Sequence, residues 1–437
     1  MTDNCRNSRL LLKGGRIVSE AGLVSADLVV SEGKIVKWVD SSEASSEDRI
    51  NVVDVRHCLL LPGGIDPHVH FEFPFSGTNI KHDAFSGGQA ALLAGTTLAY
   101  DFILDSDGSK APAAALVERA EYFRQTPLQV KFHYCFVNEH EKVADYIRCL
   151  ADLDIKVALF GFYHAWSEAA IERYMPLFAA DKLMLGLHAL EDEKAVDSSF
   201  LDCTLKEFIG KRQRYDELEA TLFTRYSQAA KAHGVPFYAF HLSNPKLIAQ
   251  QPAGGRLVRE VAVQHLFYNL EGLVARENGH YLMCGPYLQT RAKQQELIEQ
   301  LGRIDIVASD SAALDVFDKR TGSKIKDIRR GLPSLGYRLP MLYTFGIKTG
   351  RLDWKTFLDV WCGNAAKWLG DSPSKGTLLP GADADIVVIE PGAIIRNQNP
   401  ADRHLGWQPF LDRLDGWPRD VFVGGRHVVR QGMYTGS

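Results

Sequence analysis

Eight times between residues 61 and 375, a short apolar run gives way to a segment of helical periodicity. The apolar runs end at His70, Asp101, Phe136, Phe160, His188, His241, near His265 and at Asp310. Segments such as ALVERAEYFRQ and TLFTRYSQAAKAHG lie between them and space their apolar residues at three- and four-residue intervals, as one face of a helix requires. Strands alternating with helices must run parallel, because each helix carries the chain back across the sheet. Eight such units predict a (β/α)8 barrel rather than a doubly wound open sheet.

The two ends of the chain read differently. RLLLKGGRIV, ADLVV, KIVKWV and NVVDV precede residue 60, and ADIVVIE and DVFVGGRHVVRQG follow residue 376; all are β-branched runs cut by Gly, Ser and Glu. The spacing predicts a small β domain built from residues 1–60 and 376–437, with the barrel over 61–375. The apolar fraction of 46 % is ordinary and leaves enough side chains for a sizeable core. A net charge of −4 with scattered Lys and Arg argues against a nucleic-acid surface. No apolar run reaches the roughly 20 residues of a membrane span, and the polar start MTDNCRNSRL has no signal-peptide character. The seven cysteines include no CxxC pair and predict reduced thiols in a cytoplasmic protein, with Cys135 and Cys284 buried in apolar strands.

Barrel enzymes place their chemistry at the C-terminal ends of the strands. The first strand closes with GGIDPHVH, where His68 and His70, two residues apart, point to one face. KLMLGLH ends the fifth strand at His188, VPFYAFH the sixth at His241, and IDIVASD the eighth at Asp310. A single histidine of this kind is more often structural, and a strand-end aspartate more often caps the next helix. Five such residues on one rim have no common structural reason to gather there. They form a nitrogen/oxygen donor set suited to Zn2+ or a neighbouring divalent ion.

The stretches LLPGGIDPHVHFEFPF, AGTTLAYDF, LHALED, AFHLS, ASDSA, GNAAKWLG and GTLLPGADADIVVIE resemble the cyclic amidohydrolases, the group of dihydropyrimidinase, hydantoinase, allantoinase and dihydroorotase. The resemblance implies a β-sandwich formed by both termini and hydrolytic opening of a cyclic amide by metal-bound hydroxide. It also implies a lysine on the fourth strand, carboxylated and bridging two metals. Aligning DIKVALFGFYH on Phe160 and Tyr163 puts Ala158 at that lysine's position. Lys156 lies about 6.6 Å back along the strand and is expected deeper in the barrel. The expectation is therefore one Zn2+, bound by His68, His70, His188 and Asp310 with His241 beside it. A two-metal site completed by Lys156 or a carboxylate stays open.

By the same resemblance, Asp310 is the general base and acid and Tyr163 a donor to the developing oxyanion. Glu72 stands where dihydroorotase has an arginine for its substrate's carboxylate, so a neutral or cationic ring is expected. Phe73 and Phe75 are candidate walls of the ring pocket, and Ser243 and Gln289 candidate substrate contacts. GLPSLGYRLP, residues 331–340, resembles the dihydroorotase and allantoinase side instead, so the ring stays open among hydantoin, dihydropyrimidine, imide and lactam. The alternatives are a deaminase on the same scaffold and a non-catalytic dihydropyrimidinase-like protein. The expected partners are a small cyclic amide and further copies of the chain, as a homodimer or homotetramer, with no nucleic acid and no membrane.

Overall fold

The structure is a computed structural model that describes residues 9–40, 50–72, 74–75, 77–162, 164–188, 200–250, 256–320, 322–409 and 413–436. Its centre is an eight-stranded sheet of β1 (Gly64–Asp66), β2 (Thr96–Asp105), β3 (Gln129–Phe136), β4 (Val157–Phe160), β5 (Met184–Leu187), β6 (Phe237–Ala239), β7 (Leu257–Ala262) and β8 (Ile306–Ala308). Every neighbouring pair is parallel, in simple sequence order. Between the first and last strands, a parallel bridge pairs Val69 with Ser311, and the His70 amide donates to the Ser311 carbonyl at 3.0 Å. The sheet thus closes on itself as the expected (β/α)8 barrel.

The helices follow from their sequences. α1 (Ala84–Leu93) starts with a capping box between Asp83 and Ser86, and its buried face carries Gly87. A Cβ at Gly87 would lie 2.3 Å from Phe71, so glycine lets the helix close onto the segment that follows His70. α2 (Pro112–Tyr122), α3 (Val143–Leu150) and α4 (Glu168–Ala180) cover the next strands. α5 (Leu205–Ala232) begins with a Thr204/Glu207 capping box and buries Phe208, Arg212, Tyr215, Glu219, Leu222 and Tyr226 along one stripe.

The termini build two further sheets. One has four strands, in the order Lys34–Val39, Asp27–Ser31, Arg9–Lys13 and Ile50–Asp54. The other has seven and interleaves Leu59–Pro62 with Ile386–Ile389 and Pro418–Val423. Leu12, Ile17, Leu28, Leu60, Ile386 and Phe422 pack between them in a core separate from the barrel's. No described helix is long and apolar enough to cross a membrane.

Several boundaries differ from the sequence expectation: β1 stops at Asp66, β6 at Ala239 and β8 at Ala308, short of His70, His241 and Asp310. β2 runs on to Asp105 instead of ending at Asp101. β7 stops at Ala262, because a short helix over Val263–Phe267 takes up His265. Lys156 precedes β4 at its N-terminal end and does not point into the barrel: its side chain is 38 % exposed and its ammonium pairs with Asp154 at 2.8 Å.

Candidate metal centre

Each side chain of the site is set by the end of a strand. His68 and His70 follow β1, and their Nε2 atoms lie 3.2 Å apart. Asp310 follows β8 and puts Oδ1 3.2 Å from each of them. Asp310 and His241 both take left-handed backbone angles, with φ of 48° and 34°. Such angles are uncommon outside glycine and mark positions that the surrounding structure must hold in place. Around Asp310 that hold comes from the Ser309 amide, which donates to Asp66 Oδ1 at 3.0 Å, and from the Val69–Ser311 bridge.

The triangle of 3.2 Å contacts has a specific chemical meaning. His68 Nδ1 stands 2.7 Å from Glu260 Oε1; with Glu260 as a carboxylate, Nδ1 carries the hydrogen and Nε2 the lone pair. That lone pair faces a carboxylate oxygen and a second imidazole nitrogen, a convergence of donor atoms that either a hydrogen on His70 Nε2 or a metal cation satisfies. In a tetrahedral zinc site with bonds of about 2.0–2.1 Å, ligand atoms stand about 3.3 Å apart. The observed edges match that spacing. His188 joins the group: its Nδ1 donates to the Phe162 carbonyl at 3.1 Å, and its buried Nε2 has no protein partner among the described residues. The donor atoms of His68, His70, His188 and Asp310 all lie within 4.8 Å of one another. His241 stands beside this group, its ring centroid 4.6 Å from that of His188 and 5.0 Å from that of His68. The residues fit a divalent metal.

Burial keeps these rings neutral. Desolvation, with the neighbouring histidines second, holds His68, His70 and His241 well below the usual imidazole range, and desolvation takes His188 down to about 4. Neutral imidazoles are what a metal needs as ligands. Aromatic side chains complete the wall. Phe162 stacks on His188 at 4.1 Å, Phe102 on His70 at 5.1 Å, and Phe240 meets His68 edge-on at 5.0 Å.

The other expected site residues are placed as follows. Glu72 is exposed and accepts a hydrogen bond from the Tyr122 hydroxyl. Phe75 is half-buried in a short hairpin of Pro74–Phe75 and Thr78–Asn79. A cavity of about 760 Å³ lined by Pro74, Arg119 and Tyr122 opens beside Phe102. Phe73 and Tyr163 lie outside the described residues. Ser243, an expected substrate contact, is buried, and its hydroxyl accepts from Arg212 at 2.8 Å and donates to Glu219 at 2.9 Å, both partners on α5. Gln289 belongs to the same buried network, donating to Asp216 at 2.7 Å, while its Oε1 has no protein partner among the described residues. Sequence reasoning missed Glu260, a lone acidic residue inside the apolar run of β7.

On β4 the interior face carries an apolar residue near the site. A Cβ placed on Gly186 would lie 2.7 Å from Leu159 and 3.0 Å from Phe240, so Leu159 lies on the inner side with Phe240. Phe160 points the other way, stacking on Trp166 at 4.6 Å and packing on Tyr174 and Phe178 of α4. Strand alternation puts Ala158 on that outer face as well.

Residues 59–428 match the amidohydrolase family, and the chain belongs to it. Within that family it is 26 % identical to a D-hydantoinase of Geobacillus stearothermophilus, over 98 % of this chain and 94 % of the relative. It is 27 % identical to a dihydropyrimidinase of Rattus norvegicus, over 88 % of this chain and 78 % of the relative. The crystal structure of a dihydropyrimidinase from Brevibacillus agri superposes with a TM-score of 0.85 at 23 % identity, covering 98 % of this chain and 96 % of that one. That likeness confirms the fold.

Two buried histidines outside the ligand group give a stability prediction. Burial takes His133 down to about 4 and His265 to about 3, against 6.5 for a free side chain. Below pH 6.5 the unfolded chain therefore binds protons on these rings that the folded chain does not. Their contribution to stability is complete above pH 6.5 and is lost as pH falls toward 4, by at most about 3 kcal/mol for His133. Urea midpoints of the chelator-treated protein are expected to drop across that window, and more shallowly in His133→Gln.

Proposed function

We propose that this chain is a metal-dependent hydrolase that opens a cyclic amide, or closes the ring in reverse, on a ring of hydantoin, dihydropyrimidine, imide or lactam type. The observation that carries the reading is the triangle of His68 Nε2, His70 Nε2 and Asp310 Oδ1 at 3.2 Å, with one nitrogen lone pair already assigned. The choice of ring rests on similarity to relatives named D-hydantoinase and dihydropyrimidinase. The proposed metal is a single Zn2+ held by His68, His70, His188 and Asp310. Bound there, the ion polarises a carbonyl and makes a water acidic near neutral pH.

The chain's own residues do the rest. Asp310, with one oxygen among the ligands, is placed to take the proton of the attacking water and pass it to the leaving ring nitrogen. His241, its ring 4.6 Å from that of His188, would orient that water. Phe102, Phe162 and Phe240 exclude bulk solvent, which strengthens every charge interaction at the centre. Metal analysis of the purified protein together with turnover of hydantoin and dihydrouracil tests the reading. One tightly held equivalent and ring opening support it; a metal-free protein inactive on both rings after zinc loading overturns it.

Glu72 is proposed to set selectivity against acidic rings. An exposed charge about 4 Å from a substrate carboxylate repels it by about 1 kcal/mol, roughly a 5-fold effect. Glu72→Gln is expected to raise kcat/KM for dihydroorotate about that much relative to its neutral analogue. Equal ratios in variant and wild type would place Glu72 outside the substrate's reach.

A further inference from the structure

Glu260 is fully buried on β7. Its Oε1 accepts from His68 Nδ1 at 2.7 Å and from the His241 backbone amide at 3.1 Å, and its Oε2 accepts from the Tyr238 hydroxyl at 2.7 Å. We propose that Glu260, backed by Tyr238, is a positioning residue of the metal centre: it fixes the tautomer and orientation of His68 and ties that ligand to the segment bearing His241. The inference rests on the metal-site reading above and deepens it.

The chemistry of imidazole carries the argument. A neutral ring has one N–H, and only the other nitrogen can bind a metal. A carboxylate accepts and cannot donate, so one placed at Nδ1 holds the hydrogen there and turns the Nε2 lone pair inward. Packing alone does not specify this. Phe102 and Phe240 touch the His68 ring edge-on at 5.3 and 5.0 Å and are indifferent to which nitrogen carries the proton.

The carboxylate's surroundings point the same way. Among the described residues, the one ion-pair partner within reach of Glu260 is His68 itself. Arg338 lends Glu260 a longer-range positive charge, while burial still pushes the carboxyl above its usual range. A divalent ion on the far side of the His68 ring would add positive charge close by, and the carboxylate in turn makes that imidazole a stronger donor. Tyr238 acts one step further out. Its hydroxyl bond orients the carboxylate so that Oε1 stays in line with Nδ1.

The test compares wild type, Glu260→Gln and Tyr238→Phe after chelator treatment. Zn2+ affinity is read by competition with a chromogenic chelator, and site geometry by the visible spectrum of the Co2+-loaded protein. Glu260→Gln is expected to keep its circular dichroism, lose about 10- to 100-fold in Zn2+ affinity and change the Co2+ spectrum. Tyr238→Phe is expected to lose less, in the same direction. A folded Glu260→Gln protein with wild-type affinity and spectrum overturns the proposal while leaving the metal site standing. If Glu260→Gln fails to fold, Tyr238→Phe decides, and unchanged affinity there overturns it. Wild-type protein that takes up no Zn2+ removes the metal reading itself, and this inference with it.

Discussion

Asp310→Asn is expected to give a folded protein whose turnover of a cyclic amide falls by about 10²- to 10⁴-fold, the range set by loss of a positioned acid–base group. Asparagine is the informative replacement because it tolerates the left-handed angle at this position, φ 48°, better than alanine does. It keeps an oxygen to face His68 and His70 but cannot accept the proton of the attacking water. Metal content should therefore fall less than activity does. His68→Ala removes a nitrogen from the 3.2 Å triangle and should lower metal content and turnover together. Elemental analysis, melting temperature and kcat/KM on the same preparations separate these effects. Turnover within tenfold of wild type in Asp310→Asn would take the proton-transfer role away from that residue.

Much of this site is legible in the sequence because its parts obey local rules. His68 and His70, two residues apart, flank Val69 and its bridge to Ser311 just past β1, and His188, His241 and Asp310 each stand where an apolar run stops. A parallel barrel brings such positions to one rim without further information. The α/β alternation likewise shows the barrel, and the β-branched ends show the terminal sheets. What the sequence hides depends on contacts between distant segments. Ser243 looks like a rim residue until Arg212 and Glu219, 31 and 24 positions away, occupy its hydroxyl. Glu260 belongs to no motif, and its one local signal is a charge inside an apolar strand. Lys156 shares the strand parity of Ala158, but parity does not say which face of a barrel strand is inside. Here Phe160 and its α4 partners mark that face as the outer one.

The second large effect concerns the number of metals. Purified protein is expected to hold one tightly bound equivalent, and added bicarbonate should change neither metal content nor rate. A bridging carbamate needs a neutral amine reached from the barrel interior, and β4 offers Leu159 there. Lys156 is out of position, half-open to solvent and paired with Asp154 at 2.8 Å. Lys156→Ala should cost no more than an exposed ion pair does, about 0–1 kcal/mol, and leave metal and activity intact. The converse variant is Leu159→Lys, which puts an amine on the inner face beside Gly186 and Phe240, close to the histidine wall. With bicarbonate present, its metal content is expected to rise from one equivalent toward two, with His241 and the new carbamate as the ligands available to the second ion. The amine must lose its proton before CO2 can add, so uptake should increase with pH. Two equivalents in wild-type protein, or loss of metal on removing bicarbonate, would show that the chain bridges its metals from a residue other than one on β4. A Leu159→Lys protein that folds and still holds one ion would place the obstacle in the aromatic wall, where Phe162 stacked on His188 leaves Nδ1 bonded to a carbonyl and turned away from any second metal.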